Sequence, residues 1–400
     1  PPVAPPPPPA TRGALPPAWA IGAYQAYDPD SGDIVQLVVS GGGRVYLRNE
    51  TGELISEGGL RDGMVYWANG KKARAFSSAT SIPASTSTSA AMADIVALGE
   101  PMIEFNQARS ADAHTYLQGF GGDTSNMAIA AARLGARVAY VTRLGADRFG
   151  RMFVDLWTRE GIDTAGVTLD PEAATGVYFV AHGAHGHEFS YLRAGSAASR
   201  MRPETLPLPV LQPARLLHAS GISQAISAAA CDAVFAAFAI ARAAGALVTY
   251  DPNVRLKLWP LARAKAIVAA SMAQCTWCLP SQDDAQLLFE GAGPDAVVDA
   301  IHRAGAPGVV LKLGAQGCLV SDGARRERVP AHTVRSVDAT GAGDCFDGAF
   351  AARLMAGDDP FAAARYANIA AALATTGYGA VAPLPRAEDV ARFLAASATT

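Results

Sequence analysis

A glycine-rich segment that ends in an aspartate, Asp338-Ala-Thr-Gly-Ala-Gly-Asp344, carries the residue types best suited to chemistry. Gly341 and Gly343 let the backbone turn tightly, so the N–H groups from Gly341 through Ala342 to Gly343 can face an anion. The residues that follow predict a helix beginning near Asp344, and its positive end favours the same anion. Asp344 could then accept a proton from a hydroxyl while the amides hold a transferring phosphoryl group. The plainer alternative is a glycine-rich helix start in which Asp344 is an ordinary N-terminal carboxylate.

A second glycine-rich segment, Gly119-Phe-Gly-Gly-Asp-Thr-Ser-Asn126, leads into a predicted helix over Thr124–Leu134, with Asp123 or Thr124 as its cap. The two segments lie roughly 220 residues apart. In this order they resemble the two signatures of the ribokinase-like (PfkB) sugar kinases. The resemblance runs from Met92 to about Leu394. The chain contains no GxxxxGK[ST] sequence, which excludes a P-loop kinase.

Further segments resemble those of the 2-keto-3-deoxygluconate kinases within this family. They are Gly99–Phe105, Gly176–Phe179, Tyr191–Ala197, Ser220–Ser223 and Asp251–Trp259. A sugar acid carries a carboxylate, and a guanidinium can hold it with two parallel hydrogen bonds, so Arg193 and Arg255 are the candidate partners. The resemblance implies a sugar pocket made of Gly121, Gly122, Asn126, Tyr178, Tyr191, Arg193 and Arg255. Without it, Tyr191 and Arg193 would be read as one face of an exposed strand.

The resemblance places the nucleotide in the carboxyl-terminal half, and it implies ATP and Mg²⁺ as cofactors. The expected nucleotide-binding residues are Asn253, Ser281, Lys312, Gly314, Gly317 and Asn368, beside the loop at Gly341–Asp344. Alone, Lys312 could equally be a strand-end lysine, and Asn368 a polar residue on a helix face. Many family members carry an Asn-x-x-Glu motif where this chain has Ser281-Gln-Asp-Asp284. Asp284 is therefore the candidate to organise the metal through water, although its side chain is one methylene shorter.

Strand-like and helix-like segments alternate from position 92 onward, which predicts a mostly parallel sheet covered on both faces. In such folds ligands bind at the carboxyl ends of the strands. We expect an α/β, ribokinase-like three-layer fold with a mostly parallel central sheet. A small β-lid is expected from segments near Phe105–Phe120 and Val177–Tyr191. The alanine-rich stretch Ser223–Ala244 predicts one long helix.

The amino-terminal part differs in texture from the rest of the chain. Residues 1–18 are proline-rich and predict an extended, disordered segment. Residues 19–76 alternate short apolar runs with glycine turns, which predicts a small β-meander of unknown role. Residues 77–91 are a Ser/Thr/Ala linker, and residues 92–400 form the expected kinase domain.

Charge and composition exclude several classes of protein. The net charge of −3 offers no electrostatic footprint for nucleic acid or for an anionic membrane surface. No run of 18 apolar residues is present, so a transmembrane helix is not expected. The five scattered cysteines favour a reducing compartment, hence the cytoplasm. The resemblance also implies a homo-oligomer, a dimer or larger, in which lids pair.

The sequence therefore predicts ATP-dependent phosphorylation of 2-keto-3-deoxygluconate at the C6 hydroxyl, with Asp344 as general base. Two alternatives stay open. One is another sugar specificity within the family, such as ribose, fructose or a related hexose. The other is a catalytically silent sugar-sensing protein of the same fold, against which the intact Gly341-Ala-Gly-Asp344 sequence argues.

Overall fold

The structure is a computed structural model that describes six strands between positions 22 and 74, and residues 93–108, 115–183 and 186–397. The chain separates into two compact units, Pro1–Ala90 and Ala91–Thr400. The expected proline-rich segment at 1–18 and the expected linker at 77–91 lie outside the described residues. The assignment of 1–18, 19–76, 77–91 and 92–400 as separate segments stays a prediction.

The amino-terminal unit contains a six-stranded antiparallel sheet. Its strands pair in chain order, each with the next, as expected for a meander. They are β1 (Gly22–Tyr27), β2 (Ile34–Val39), β3 (Arg44–Arg48), β4 (Leu54–Arg61), β5 (Met64–Trp67) and β6 (Lys72–Arg74).

The larger unit is built on two sheets and the helices that cover them. Its strands are β7 (Ile95–Leu98), β8 (Met102–Gln107), β9 (Tyr116–Gly121), β10 (Val138–Gly145), β11 (Val167–Asp170), β12 (Gly176–Gly183), β13 (Gly186–Leu192), β14 (Leu216–Ser220), β15 (Leu247–Asp251), β16 (Trp277–Cys278), β17 (Gly308–Lys312), β18 (Cys318–Ser321) and β19 (Arg326–Val329). Its helices are α1 (Asp123–Arg133), α2 (Arg148–Arg159), α3 (Leu208–Leu211), α4 (Gly221–Ala225), α5 (Ala228–Ala243), α6 (Leu261–Met272), α7 (Gln282–Leu288), α8 (Pro294–Arg303), α9 (Ala342–Ala356), α10 (Pro360–Ala374) and α11 (Ala387–Ser397).

The central sheet has nine strands in the order β11-β10-β7-β14-β15-β16-β17-β18-β19. The first seven run parallel, and β18 and β19 extend the sheet antiparallel. Neighbouring residues of one strand point to opposite faces, and β7 shows the result. Ile95 and Ala97 belong to a core shared with α1, α9 and α10, whereas Val96 and Leu98 belong to a core shared with α5, α6 and α8. The expected three layers and mostly parallel sheet are confirmed.

The second sheet has four strands in the order β13-β12-β8-β9 and corresponds to the expected lid. Strands β8 and β12 pair in parallel, and a hairpin partner flanks each of them. One face of this sheet carries Phe105 and Phe179, whose rings stack with 5.3 Å between centroids. Phe105 also makes an edge contact with Phe149 of α2, and these rings pack against the central core. The opposite face carries Glu104, Tyr178 and Tyr191 at matching register positions.

The prediction of one long helix over Ser223–Ala244 is wrong, because the structure has two helices, α4 and α5, separated at Ile226–Ser227. The Ser227 hydroxyl accepts a hydrogen bond from the backbone N–H of Ala230 and donates one to the carbonyl of Ser199. A serine that caps a helix start competes with helix continuation, so the side chain ends one helix and begins the next. Within the described residues, no helix combines the length and the apolar composition needed to cross a membrane.

Candidate active site

The starts of α1 and α9 lie against each other near the carboxyl ends of the parallel strands. Asn126, in the first turn of α1, donates a hydrogen bond from Nδ2 to Oδ2 of Asp344, in the first turn of α9, over 2.8 Å. Close packing of the two helices requires Gly348, since a Cβ there would lie 2.4 Å from the carbonyl oxygen of Met127. The two glycine-rich segments of the sequence thus form one site.

The loop before α9 has the geometry expected of an anion site. Gly341 adopts a left-handed conformation (φ 75°), and a Cβ at this position would lie 3.1 Å from the carbonyl oxygen of Ala380. The N–H of Ala342 donates to the carbonyl of Ala339. The N–H groups of Gly343 and Asp344 belong to the first helical turn, where no intrahelical acceptor exists. Of the residues expected to line this site, Gly343 therefore offers a freer donor than Ala342.

The pKa of Asp344 is raised from its ordinary value of 3.8 to about 7. Burial is the main cause, and the negative charges of Asp123 and Asp251 add to it. The Asn126 hydrogen bond and the positive charge of Lys312 act in the opposite direction. A carboxyl group with a pKa near neutrality suits general base catalysis, because a large fraction of it is deprotonated at neutral pH and it is a stronger proton acceptor than an ordinary carboxylate.

Asp123 belongs to the same site, although its sequence pattern indicated only a possible cap. Its Oδ2 accepts a hydrogen bond from Nδ2 of Asn253 over 2.9 Å, and burial raises its pKa. Asn253 holds a left-handed backbone (φ 37°), an uncommon conformation for a residue other than glycine. The structure thus places Asn253, which was expected beside the nucleotide, against the start of α1. The doublet Gly121-Gly122 before Asp123 was the available signal for this carboxylate.

The lid contributes an aromatic and charged wall. The Tyr178 hydroxyl donates to Oε2 of Glu104 over 2.5 Å, and burial raises the pKa of this tyrosine. A Cβ on Gly121 would lie 2.4 Å from that hydroxyl oxygen, so only glycine fits beneath the ring. Tyr191 lies beside Tyr178 with 5.8 Å between ring centroids and is 39% exposed. Gly121 and the lid tyrosines are therefore brought together, whereas Gly122 lies against the backbone of Glu100 and Pro101.

Arg193 forms an ion pair that the sequence did not reveal. Its Nη2 donates to Oε2 of Glu100, a fully buried residue whose other oxygen accepts from the Ser196 hydroxyl. Burial raises the pKa of Glu100, and the charge of Arg193 opposes that rise. The guanidinium also lies 5.7 Å from the centre of the Tyr191 ring, and its buried Nε has no hydrogen-bond partner among the described residues. Arg193 is thus partly neutralised but retains an unused donor.

Arg255 has more freedom than Arg193. Its side chain is exposed, and its Nη1 donates to its neighbour's backbone carbonyl, that of Val254. Its positive charge opposes the rise in the pKa of Asp123, so the guanidinium lies near the start of α1. Within the described part of the chain, no carboxylate lies within ion-pair distance of this guanidinium, whereas Arg193 is already paired with Glu100.

The expected nucleotide-binding residues divide into two groups. Gly314 is left-handed (φ 57°) and borders open space, as a close approach to a ligand requires. Gly317 lies against the backbone of Val329, and Asn368 donates to the carbonyl oxygens of Val329 and Pro330. These last two therefore tie α10 and the edge strands together in the described structure.

Ser281 and Asp284 form a reciprocal cap at the start of α7. The Asp284 carboxylate accepts from the backbone N–H and the hydroxyl of Ser281, and its second oxygen accepts from the backbone N–H of Val254. The carboxylate is buried and both of its oxygens accept hydrogen bonds, and its expected role in organising the metal through water stays a prediction. In the structure this carboxylate connects the turn after β15 to α7 through its hydrogen bond with the backbone N–H of Val254. Among the described residues, no group of three or more His, Cys, Asp or Glu side chains is arranged to hold a metal ion.

Lys312 ends β17, as the sequence alone allowed, but its side chain is buried in an ion cluster. Its ammonium lies between the carboxylates of Asp251 and Asp347, at 3.0 and 2.9 Å. Sequence reasoning missed both carboxylates, although Asp251 opens one of the matching segments and Asp347 follows Asp344 by three residues. A spacing of three or four residues on a helix was the available signal for Asp347.

The fold and this site define a carbohydrate kinase, and comparison with known proteins agrees. Residues 92–387 match the sequence profile of the pfkB family carbohydrate kinases. The chain belongs to this family.

Relatives with different sugar specificities are equally similar to the chain. It is 32% identical to a probable fructokinase-4 of Arabidopsis thaliana, over 75% of this chain and 96% of that protein. It is 33% identical to a 2-dehydro-3-deoxygluconokinase of Thermoproteus tenax, over 76% of this chain and 95% of that protein. A crystal structure of fructokinase from Vibrio cholerae O395 with fructose, ADP and calcium superposes with a TM-score of 0.69, at 29% identity, over 76% of this chain and 99% of that one.

Proposed function

We propose that this pfkB carbohydrate kinase transfers a phosphoryl group from MgATP to the C6 hydroxyl of 2-keto-3-deoxygluconate or a closely related keto-deoxy sugar acid. One observation carries the catalytic part of the proposal. Asp344, with its pKa near 7, lies at the start of α9 beside a left-handed glycine and is held by Asn126. This arrangement combines a proton acceptor with an anion site, the two requirements of phosphoryl transfer to a hydroxyl.

In this mechanism Oδ2 of Asp344 stays bonded to Asn126, and the other oxygen accepts the proton of the sugar hydroxyl. The hydroxyl oxygen then attacks the γ-phosphorus in line as the bond to the β-phosphate breaks. The N–H groups of Gly343 and Asp344, with the N-terminal dipole of α9, stabilise the charge that develops on the transferred phosphoryl group. The lid tyrosines Tyr178 and Tyr191 cover the sugar and exclude water, which would compete as acceptor.

The anion site fits a nucleoside triphosphate because glycine keeps it open. A Cβ on Gly343 would lie 3.7 Å from the ammonium nitrogen of Lys312, and a Cβ on Gly341 would be strained by its left-handed backbone and its 3.1 Å contact with Ala380. Mg²⁺ enters here as part of the substrate MgATP, since it neutralises the phosphates and prefers their oxygens. Gly314, which borders open space, supports the expected nucleotide position.

The two arginines support a sugar acid. Arg255 is exposed and without a carboxylate partner among the described residues, and Arg193 keeps one unused, buried N–H beside Tyr191. A substrate carboxylate that reaches the exposed guanidinium of Arg255 would supply its missing acceptor. Fructose is the second candidate, because Glu100 already neutralises Arg193 and the fructokinases are as similar to the chain as the gluconokinase.

An ADP-release assay with MgATP tests both. The panel contains 2-keto-3-deoxygluconate, its galactonate epimer, gluconate, ribose and fructose. Turnover confined to the keto-deoxy acids is expected. Turnover on fructose or ribose would support the kinase activity but reject the assignment of a sugar-acid substrate. No turnover on any sugar would favour a sugar-sensing protein.

We further propose a cytoplasmic location and a homo-oligomer. All five cysteines are buried and free of disulfides, which suits a reducing compartment. The lid exposes Leu117 (64%) and Leu192 (69%), apolar side chains that a second lid could cover. Light scattering of the purified protein tests the assembly, and a monomer at micromolar concentration would reject it.

A further inference from the structure

A buried ion cluster lies beneath the anion site and takes no direct part in the proposed chemistry. Lys312 ends β17, Asp251 ends β15, and Asp347 lies on α9. The ammonium is 3.0 Å from Oδ2 of Asp251, and 2.9 and 3.1 Å from the two oxygens of Asp347. The three side chains are 11%, 7% and 2% exposed, respectively. Burying three charges is costly, and a hydrophobic trio would often be at least as stable.

The cluster lies close to the reacting groups. A Cβ on Gly343 would lie 3.7 Å from the ammonium nitrogen of Lys312, so this cation is directly beside the loop that is proposed to hold the phosphoryl group. Asp347 follows Asp344 by one helical turn on the same helix. The two carboxylates hold Lys312 in one position, because each accepts a hydrogen bond from it.

Charged and titratable groups face Asp344 from each side. Asp123 approaches from α1, Asp251 from the end of β15, and Lys312 from the end of β17. The Tyr178 hydroxyl approaches from the lid, and Cys345 and Asp347 belong to its own helix. Helix α10 packs on α9 through alanines, among them Ala363, Ala364 and Ala367. The positive charge of Lys312 thus opposes the effect of the negative charges of Asp123 and Asp251 on Asp344, the proposed base.

We propose that Lys312 is a positioning residue: held by Asp251 and Asp347, it supplies the fixed positive charge that keeps Asp344 ionised and the anion loop electropositive. The inference rests on the proposed kinase function and deepens it. It also revises the expectation for Lys312, which acts through Asp344 instead of contacting the nucleotide. Consistent with this, its charge lowers the pKa of Asp344.

The test is the acidic limb of the pH–kcat profile, measured with whichever sugar is turned over. In Lys312→Met, loss of the cation is expected to move this limb to higher pH by about one unit. Lys312→Arg keeps the charge and is expected to leave the limb within a few tenths of the wild-type position. Asp251→Asn removes a carboxylate whose charge raises the pKa of Asp344 and is expected to move the limb to lower pH.

The Lys312→Met variant leaves two buried carboxylates without their cation, which could disturb folding. A second comparison separates that effect from the loss of the positive charge. The double variant Lys312→Met/Asp251→Asn removes one cation and one carboxylate of the cluster together. Compared with Asp251→Asn alone, it isolates the lysine and is expected to show the same upward movement. Opposite movements in the two single variants are the distinguishing result, because a general loss of structure would lower kcat without moving the limb in two directions.

Two outcomes would overturn the inference. One is a fixed limb with an increase of tenfold or more in the KM for MgATP, which would make Lys312 a nucleotide contact. The other is a fixed limb with reduced kcat alone, which would make the cluster structural. Direct titration of the Asp344 carboxyl by ¹³C NMR, assigned with Asp344→Asn, is independent of turnover. If no sugar is turned over but this titration moves as expected, the proposed function fails, and the effect of the Lys312 charge on the Asp344 carboxyl stands.

Discussion

Asn126 and Asp344, 218 positions apart, share a 2.8 Å hydrogen bond in which the amide donates and the carboxylate accepts. The other polar atom of this amide, Oδ1 of Asn126, is buried and has no partner among the described residues. A buried acceptor without a donor is unfavourable, so a ligand hydroxyl at this point would satisfy it. The contact therefore orients the carboxylate, and it leaves one buried acceptor of Asn126 unpaired.

Replacing Asp344 with Asn is expected to reduce kcat at least a hundredfold while sugar and nucleotide still bind. The amide keeps the size and the Asn126 contact but cannot accept the hydroxyl proton, and general base catalysis typically contributes on the order of 10² to 10⁴ in rate. Single-turnover kinetics and equilibrium binding measure the two effects. Unchanged turnover would reject Asp344 as the base.

The same substitution is expected to stabilise the protein above pH 7. Since the folded-state pKa of Asp344 is raised from 3.8 to about 7, the folded protein binds an extra proton between these values and loses stability as pH rises through them. At pH 8 the gain in the free energy of unfolding is expected to be on the order of 2 to 4 kcal/mol, and it should vanish near pH 4. Urea unfolding of both proteins at pH 4, 6 and 8 tests this, and a pH-independent difference would contradict it.

Replacing Arg193 with Met is expected to lower the free energy of unfolding by about 3 kcal/mol or more, because Glu100 would be left as an unpaired buried charge. The double variant Arg193→Met/Glu100→Gln should recover most of that stability, and a double-mutant cycle gives the coupling energy. Arg392→Met, which removes an exposed ion pair with Asp389, is the control and should change stability by less than about 1 kcal/mol. Equal losses in the two single arginine variants would contradict the prediction.

Gly348→Ala is expected to cost about 1 to 3 kcal/mol of stability and to reduce kcat as well. Its Cβ would lie 2.4 Å from the carbonyl oxygen of Met127 and would push α1 away from α9, which lengthens the Asn126–Asp344 contact. The control is Gly293→Ala, where no atom lies within 4 Å and φ is −70°. Thermal unfolding and kcat of the two variants should differ clearly, and similar values would show that helix contact is not required.

A protein lacking residues 1–91 is expected to retain kcat and KM within about twofold, since compact domains fold independently and the family match begins at residue 92. Steady-state kinetics and gel filtration of the shortened protein provide the measurement. An insoluble or inactive product would mean that the amino-terminal unit belongs to the kinase fold.

Much of the architecture follows from local sequence. Alternating strand and helix patterns predict the three layers, because each face of a parallel sheet must be covered by apolar helices. Gly341, Gly343 and Asp344 are adjacent in the chain, so their turn and helix start depend on nearby backbone preferences alone. The break between α4 and α5 at Ser227 was missed because it depends on a distant contact. A serine is compatible with a helix, and only the fold brings its hydroxyl to the carbonyl of Ser199.

The partners of the charged side chains depend on contacts that sequence patterns do not show. Lys312 meets Asp251 across 61 positions and Asp347 across 35, and Arg193 meets Glu100 across 93. Composition and spacing identify such residues as charged and near a strand end, but they do not say which neighbour will share the buried space. Only the tertiary fold brings these opposite charges to about 3 Å. In the low dielectric of the interior their attraction is strong, so the identity of the partner determines the charge and position of each side chain. The loop and its aspartate were therefore predictable from the sequence. The charged side chains that change the pKa of this aspartate were identified only from the packing of the strands and helices.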